Sequence, residues 1–114
     1  EVRTMHDIST GRPVTAMMRH LAARQAVIAG NIANADTPGY RARELERPGF
    51  AALVGRAAAP RVAEASDAIE TRPDGNNVSI EQQLLKLGEV RAEFGLMTQI
   101  YRKQVSLMKA ALGR

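Results

Sequence analysis

The sequence predicts an all-α fold. Two long terminal helices pair as an antiparallel, coiled-coil-like hairpin, with a short irregular middle segment that has room for one small β pair. Three observations carry this reading. Apolar residues recur at alternating steps of three and four between Val14 and Ala35. A second run, from Val78 to Arg114, contains no proline and carries two apolar lines. Between them, residues 41–77 show no sustained period and are broken at Pro48-Gly49, Pro60 and Pro73. A chain of 114 residues is one domain. Its parts are a helix at about 13–34, a turn and irregular middle at 35–77, and a helix at 79–113.

The first helix is expected to start where Ser9, Thr10 and Gly11 precede Pro13, since proline suits the first turn. Its seam is read as Val14, Met18, Leu21, Gln25, Ile28, Ile32 and Ala35, with Arg19, His20, Arg24 and Asn31 mostly off it. The stop is firm. Asn34 is suited to a left-handed C-terminal residue, and Pro38 and Gly39 occupy the second and third positions of a type II turn. Farther on, Arg41, Arg43, Glu44, Glu46 and Arg47 alternate in sign and read as solvated. Phe50–Val54 suits a short helix, and a β pair is expected around Arg61–Ala63 and Ala68–Thr71.

Ser79 and Gln82 form a capping-box pattern at the start of the second helix. Ile80, Leu84, Leu87, Phe94, Tyr101, Val105, Met108 and Leu112 follow as one apolar ladder, with Arg91 and Thr98 as missing rungs. Val90, Met97, Ile100, Leu107 and Ala111 make a second line. The two helices measure about 33 Å and 50 Å at 1.5 Å per residue. A compact domain of this size has a radius of gyration of only about 13 Å. The longer helix therefore outruns any body this chain builds alone, and its second line needs cover from other chains.

Composition narrows the chemistry. With no Cys there is no disulfide, thiolate metal site or Cys nucleophile. Neither His6 nor His20 has a carboxylate at helical spacing, so each reads as a lone surface imidazole. There is no HExxH, phosphate loop or nucleophile elbow. Glu81, Glu89 and Glu93 read as a solvated helix face, so no enzyme and no cofactor are expected. The net charge of +4 comes from scattered arginines and the aromatics are 4% of residues, so nucleic-acid binding is a minor alternative. A self-contained helical interaction protein is the other. The longest uncharged stretch, Gln25–Ala35, is 11 residues, short of the roughly 20 that cross a membrane. The N-terminus lacks the apolar core of a cleaved secretory signal.

The stretch Asn31-Ile-Ala-Asn-Ala-Asp-Thr-Pro-Gly-Tyr40, followed by Arg-Ala-Arg-Glu, resembles the signature of the bacterial flagellar basal-body rod family, within which it is most like the proximal rod member. Asp74-Gly75-Asn76-Asn77-Val78 before the second helix is similar to the same member. The resemblance covers about residues 10–50 and 74–114. It implies a structural subunit that polymerises through its terminal helices into the hollow drive shaft joining the membrane ring to the distal rod and hook. The implied partners are copies of itself, other rod proteins, the rod–membrane-ring junction proteins and, during secretion, the flagellar type III export apparatus. The implied location is the basal-body rod in the periplasmic space.

The resemblance also implies site roles. Ile28, Ile32, Leu84, Leu87, Phe94 and Tyr101 would form the seam within the subunit. Asn31 and Asn34 would hydrogen-bond across helix contacts or cap the helix end. Asp36, Thr37, Pro38, Gly39 and Tyr40 would fix the exit angle, with Tyr40 packing on a neighbouring subunit.

Overall fold

The computed structural model describes residues 12–49 and 61–113. Helix α1 spans Arg12–Ala33 and helix α2 spans Ile80–Ala111. Between them a two-stranded antiparallel ribbon pairs β1, Arg43–Leu45, with β2, Val62–Glu64. The expected Phe50–Val54 helix and the expected cap at Ser9–Gly11 lie outside the described residues.

The helices pack side by side, and the molecule is elongated, 63 × 24 × 18 Å with a radius of gyration of 17.9 Å. Leu21, Ile28 and Val90 are the dry centre of the helix contact, with Met17, Ile32, Leu87, Phe94 and Met97 packed around them. A second, small-residue cluster of Ala35, Ala42, Ala65 and Val78 sits where the helices meet the ribbon. Tyr40 packs against it.

The seam differs from the expected one on both helices. On α1 the inward line runs through Val14, Met17, Leu21, Arg24, Ile28, Asn31 and Ala35, whereas Gln25 is exposed. Arg24 and Asn31 therefore lie on the seam, because each has a specific partner there. On α2 the inward line is Gln83, Leu87, Val90, Phe94 and Met97. Leu84 and Tyr101, expected in the internal seam, are 55% and 49% exposed. Leu84 is displaced by Gln83, whose amide meets Asn31.

Four local expectations are also corrected. Asn34 is not left-handed, since the positive-φ residues among those described are all glycines. Its side-chain amide donates to the Gly30 carbonyl at 2.9 Å, closing the last turn without a change of handedness. The expected strand at 61–63 forms at 62–64, and its partner is 43–45, not 68–71: Arg43 faces Glu64, Glu44 faces Ala63 and Leu45 faces Val62. The charged run read as solvated contains strand β1, and within it Ala42 and Leu45 are buried and Glu44 is half-buried. The cap at Ser79 forms on one side, its Oγ accepting from the Gln82 N–H at 3.3 Å. The Gln82 side chain turns away to donate to the Asp67 carbonyl at 2.8 Å.

Leu21 is 1% exposed and sits mid-seam, so Leu21→Ala should cost about 2–5 kcal/mol in urea unfolding. Leu85→Ala, at a position 74% exposed, should move stability by no more than about 0.5 kcal/mol.

Candidate functional site

The turn end of the molecule is built from asparagines. Asn31, in the last turn of α1, is fully buried and uses its whole amide. Its Nδ2 donates to the Arg43 carbonyl at 2.8 Å and to Gln83 Oε1 at 2.9 Å. Its Oδ1 accepts from the Arg43 N–H at 2.9 Å and from the Tyr40 hydroxyl at 3.4 Å. One side chain thus stands in for a neighbouring strand on the free edge of β1 while also holding α2. Gln83 is 0% exposed, and its Nε2 has no partner.

Asn76 and Asn77 reach in from the loop before α2. Asn76 Nδ2 donates to the carbonyls of Asn34 and Thr37, both at 2.9 Å, and its Oδ1 accepts from the Val78 N–H at 2.8 Å. Asn77 Oδ1 accepts from the Ala42 N–H at 2.6 Å, and the Asn77 N–H donates to the Tyr40 carbonyl at 3.3 Å. The expected tight turn is present. Gly39 has φ +76°, and the Tyr40 N–H donates to the Thr37 carbonyl at 3.2 Å. Gly75, at φ +90°, lies against it, so close that a Cβ there would sit 3.4 Å from Gly39 Cα. The Gly39 N–H donates to the Asp74 carbonyl at 2.9 Å, binding the two turns to each other.

This clasp holds out a tip. Asp36, Thr37, Pro38 and Gly39 are exposed. Thr37 Oγ1 donates to Asn34 Oδ1 at 3.1 Å, and the Asp36 carboxylate lies 3.6 Å from Arg72. Tyr40, expected against a neighbouring subunit, packs on the small-residue cluster of its own chain. Of the remaining residues singled out in sequence, Ile28 is buried at the helix contact, with Ile32, Leu87 and Phe94 half-buried around it.

A charged latch lies beside the clasp. Lys86, 7% exposed, donates to Glu44 at 2.6 Å and pairs with Asp67 at 2.9 Å. Arg24 pairs with Glu44 at 3.2 Å and with Glu89 at 3.3 Å. Glu44 therefore ties β1 to both helices. Burial alone lowers the Lys86 pKa, but the hydrogen bonds and charges of Glu44 and Asp67 outweigh it and raise the pKa above 10.5. His20, read as a lone surface imidazole, instead lines a groove with Arg24, Glu44, Arg47 and Glu93. Burial, then Arg47 and Arg24, holds its pKa below 6.5 against the pull of Glu93 and Glu44.

Nothing in the local sequence pattern gives Arg24, Gln83 or Lys86 a role in this site, and Asn76 and Asn77 read there as turn residues only. The available signal was the spacing of Met17, Arg24 and Asn31, seven apart and in phase with Val14, Leu21, Ile28 and Ala35. Among the described residues no cluster of side chains is suited to a metal ion, and no helix is long and apolar enough to cross a membrane.

Residues 14–41, from the first turn of α1 through the tip to the start of the ribbon, match the family model described as flagella basal body rod protein. The match covers 28 of the 114 residues, and over them the chain is similar to that family. That likeness supports a structural role in the rod of the basal body. No curated protein matches the chain. The matched stretch includes residues that the clasp holds: Asn31, Asn34 and Tyr40, with the tip between them.

Replacing Asn76 with Ala leaves the Asn34 and Thr37 carbonyls and the Val78 N–H without their partner and should cost about 1–3 kcal/mol. Gly75→Ala should also destabilise, by about 1–2 kcal/mol, because an L side chain is strained at its positive φ. The raised Lys86 pKa makes its contribution complete below pH 10.5, to be lost as pH rises through the folded-state value. Urea midpoints measured on either side of pH 10.5 should show that loss in the wild type, and Lys86→Gln should flatten it.

Proposed function

We propose that the chain is a proximal rod subunit, similar to FlgB, that polymerises through its terminal helices into the hollow shaft joining the membrane ring to the distal rod and hook. The reading rests chiefly on one observation: beyond Met97, helix α2 and its C-cap carry exposed Tyr101, Leu107, Met108 and Leu112. A lone subunit leaves these wet, and neighbours in a shaft dry them. The ten-residue signature at Asn31–Tyr40 and the connection of residues 34–79 between the helices support the choice of member. Its length leaves no place for a large outer domain.

On this reading the partners are copies of the chain, other rod proteins and the rod–membrane-ring junction proteins. The subunit leaves the cytoplasm through the flagellar type III apparatus and works in the periplasmic space. The terminal helices form the wall of the shaft. Ile28, Ile32, Leu87 and Phe94 hold the helix pair together. Asn31 and Asn34 lock the turn, and Asp36, Thr37, Pro38 and Gly39 meet a neighbour. Leu84 and Tyr101 face outward from the helix pair and belong to contacts between subunits.

Ile28→Asp or Phe94→Asp should abolish both rod assembly and swimming in a strain that depends on this chain. Normal motility with either variant expressed and exported would overturn the proposal. Exposed-face variants such as Tyr101→Asp should leave the isolated subunit's circular dichroism unchanged and still block incorporation into basal bodies.

A further inference from the structure

Helix α2, about 48 Å long, fits only along the 63 Å axis, so its two ends mark opposite ends of the molecule. These ends carry opposite charge. Leading into α2 at the turn end, residues 61–81 hold five carboxylates against two arginines, a net of −3. At the far end, residues 98–113 hold Arg102, Lys103 and Lys109 and no carboxylate, a net of +3. Part of the acid is occupied internally, Asp67 by Lys86 and Glu64 by Arg41. Glu70, Asp74 and Glu81 make no ion pair among the described residues.

Both ends also expose large apolar side chains. Ile69 and Leu85 are 76% and 74% exposed at the acidic end, and Leu107 and Leu112 are 60% and 69% exposed at the basic end. Each end thus combines an apolar surface with a charge that the other end complements.

We infer that the two ends are halves of one head-to-tail contact, in which the basic distal segment of α2 in one copy docks on the acidic turn end of a second copy. Contact between like ends would set like charge against like. A head-to-tail contact is heterologous: each added copy presents a fresh end, so the contact propagates instead of closing. The inference rests on the rod reading and names its pairing surface.

The test is sedimentation velocity of the full chain at low and high salt. Wild type should form species that lengthen with concentration at low salt and shorten at high salt, where exposed charges are screened. Arg102→Glu/Lys103→Glu/Lys109→Glu should weaken association about tenfold. Glu70→Lys/Glu81→Lys should weaken it comparably. Mixing the two variants should restore pairing, because each keeps the end the other has lost. Circular dichroism should be unchanged in both, since none of the five residues makes an ion pair among the described residues and the one hydrogen bond lost, from the Ser79 hydroxyl to Glu81, is exposed. Three outcomes would each overturn the inference: a wild type that stays monomeric at low salt, association indifferent to salt, or a triple variant that associates as tightly as wild type. If the triple variant also builds rods and supports swimming, the rod reading stands and this surface is wrong. Failure of the rod reading itself is read from Ile28→Asp and Phe94→Asp.

Discussion

The fold depends on one buried amide. Asn31 faces into the helix contact, where an apolar residue would be the simpler choice, and spends all of its bonding capacity on three other segments. It pairs both backbone groups of Arg43, which gives β1 a second edge, and it sets the height of α2 through Gln83. A one-residue slip of α2 against α1 would leave a buried donor and acceptor unpaired, at about 1–3 kcal/mol each. A purely apolar seam imposes no such penalty, because one leucine replaces another. A buried asparagine in a helix pair is the best-attested device for fixing register. Here it also decides where the chain goes after the helix ends.

The charged latch extends the same logic to a second point. Glu44 lies between Lys86 on α2 and Arg24 on α1, so the ribbon is fastened to both helices by one carboxylate. Such partly buried pairs contribute modestly to stability, since desolvation offsets much of the attraction. Their value is directional: only one placement of the ribbon brings Glu44 within reach of both cations. The small-residue cluster of Ala35, Ala42, Ala65 and Val78 then brings four chain segments together beneath Tyr40. With so few large side chains available there, hydrogen bonds and ion pairs carry the geometry that bulky core residues carry elsewhere.

The helices, the start of α2 and the tight turn were legible because they rest on local rules: three-and-four spacing, a serine cap, and glycine where φ is positive. The phase of the seam was not legible. Counting apolar residues on α1 favours the line through Met18, Gln25 and Ile32, which has one polar member. The line through Met17, Arg24 and Asn31 has two. Burial chose the second, because Arg24 and Asn31 meet Glu44, Gln83 and Arg43, which lie far away in sequence. The ribbon was half legible for the same reason. Residues 61–63 looked extended, but their partner was set by Asn31 and Asn77 gripping the backbone around Ala42. The roles of Asn76 and Asn77 were hidden by their suitability for turns: a local reading explains them fully, and the structure uses them for distant carbonyls as well.

Stability in this molecule is graded along its length. The turn end holds the clasp, the latch and the small-residue cluster, and the middle holds the contact of Leu21, Ile28 and Val90. Past Met97 the intramolecular contacts thin out, and residues 106–113 are exposed throughout. Opening free energy follows the density of buried contacts, so the distal turns of α2 lie at the low end of the scale and the turn end at the high end. Such a gradient suits the proposed rod subunit. One end is rigid and presents a fixed tip, while the other acquires its full packing only beside another molecule. A uniformly stable hairpin would have buried its apolar residues within itself and left assembly little to gain. By leaving Tyr101, Leu107, Met108 and Leu112 without cover, the chain makes completion of its own longest helix the driving force for joining a neighbour.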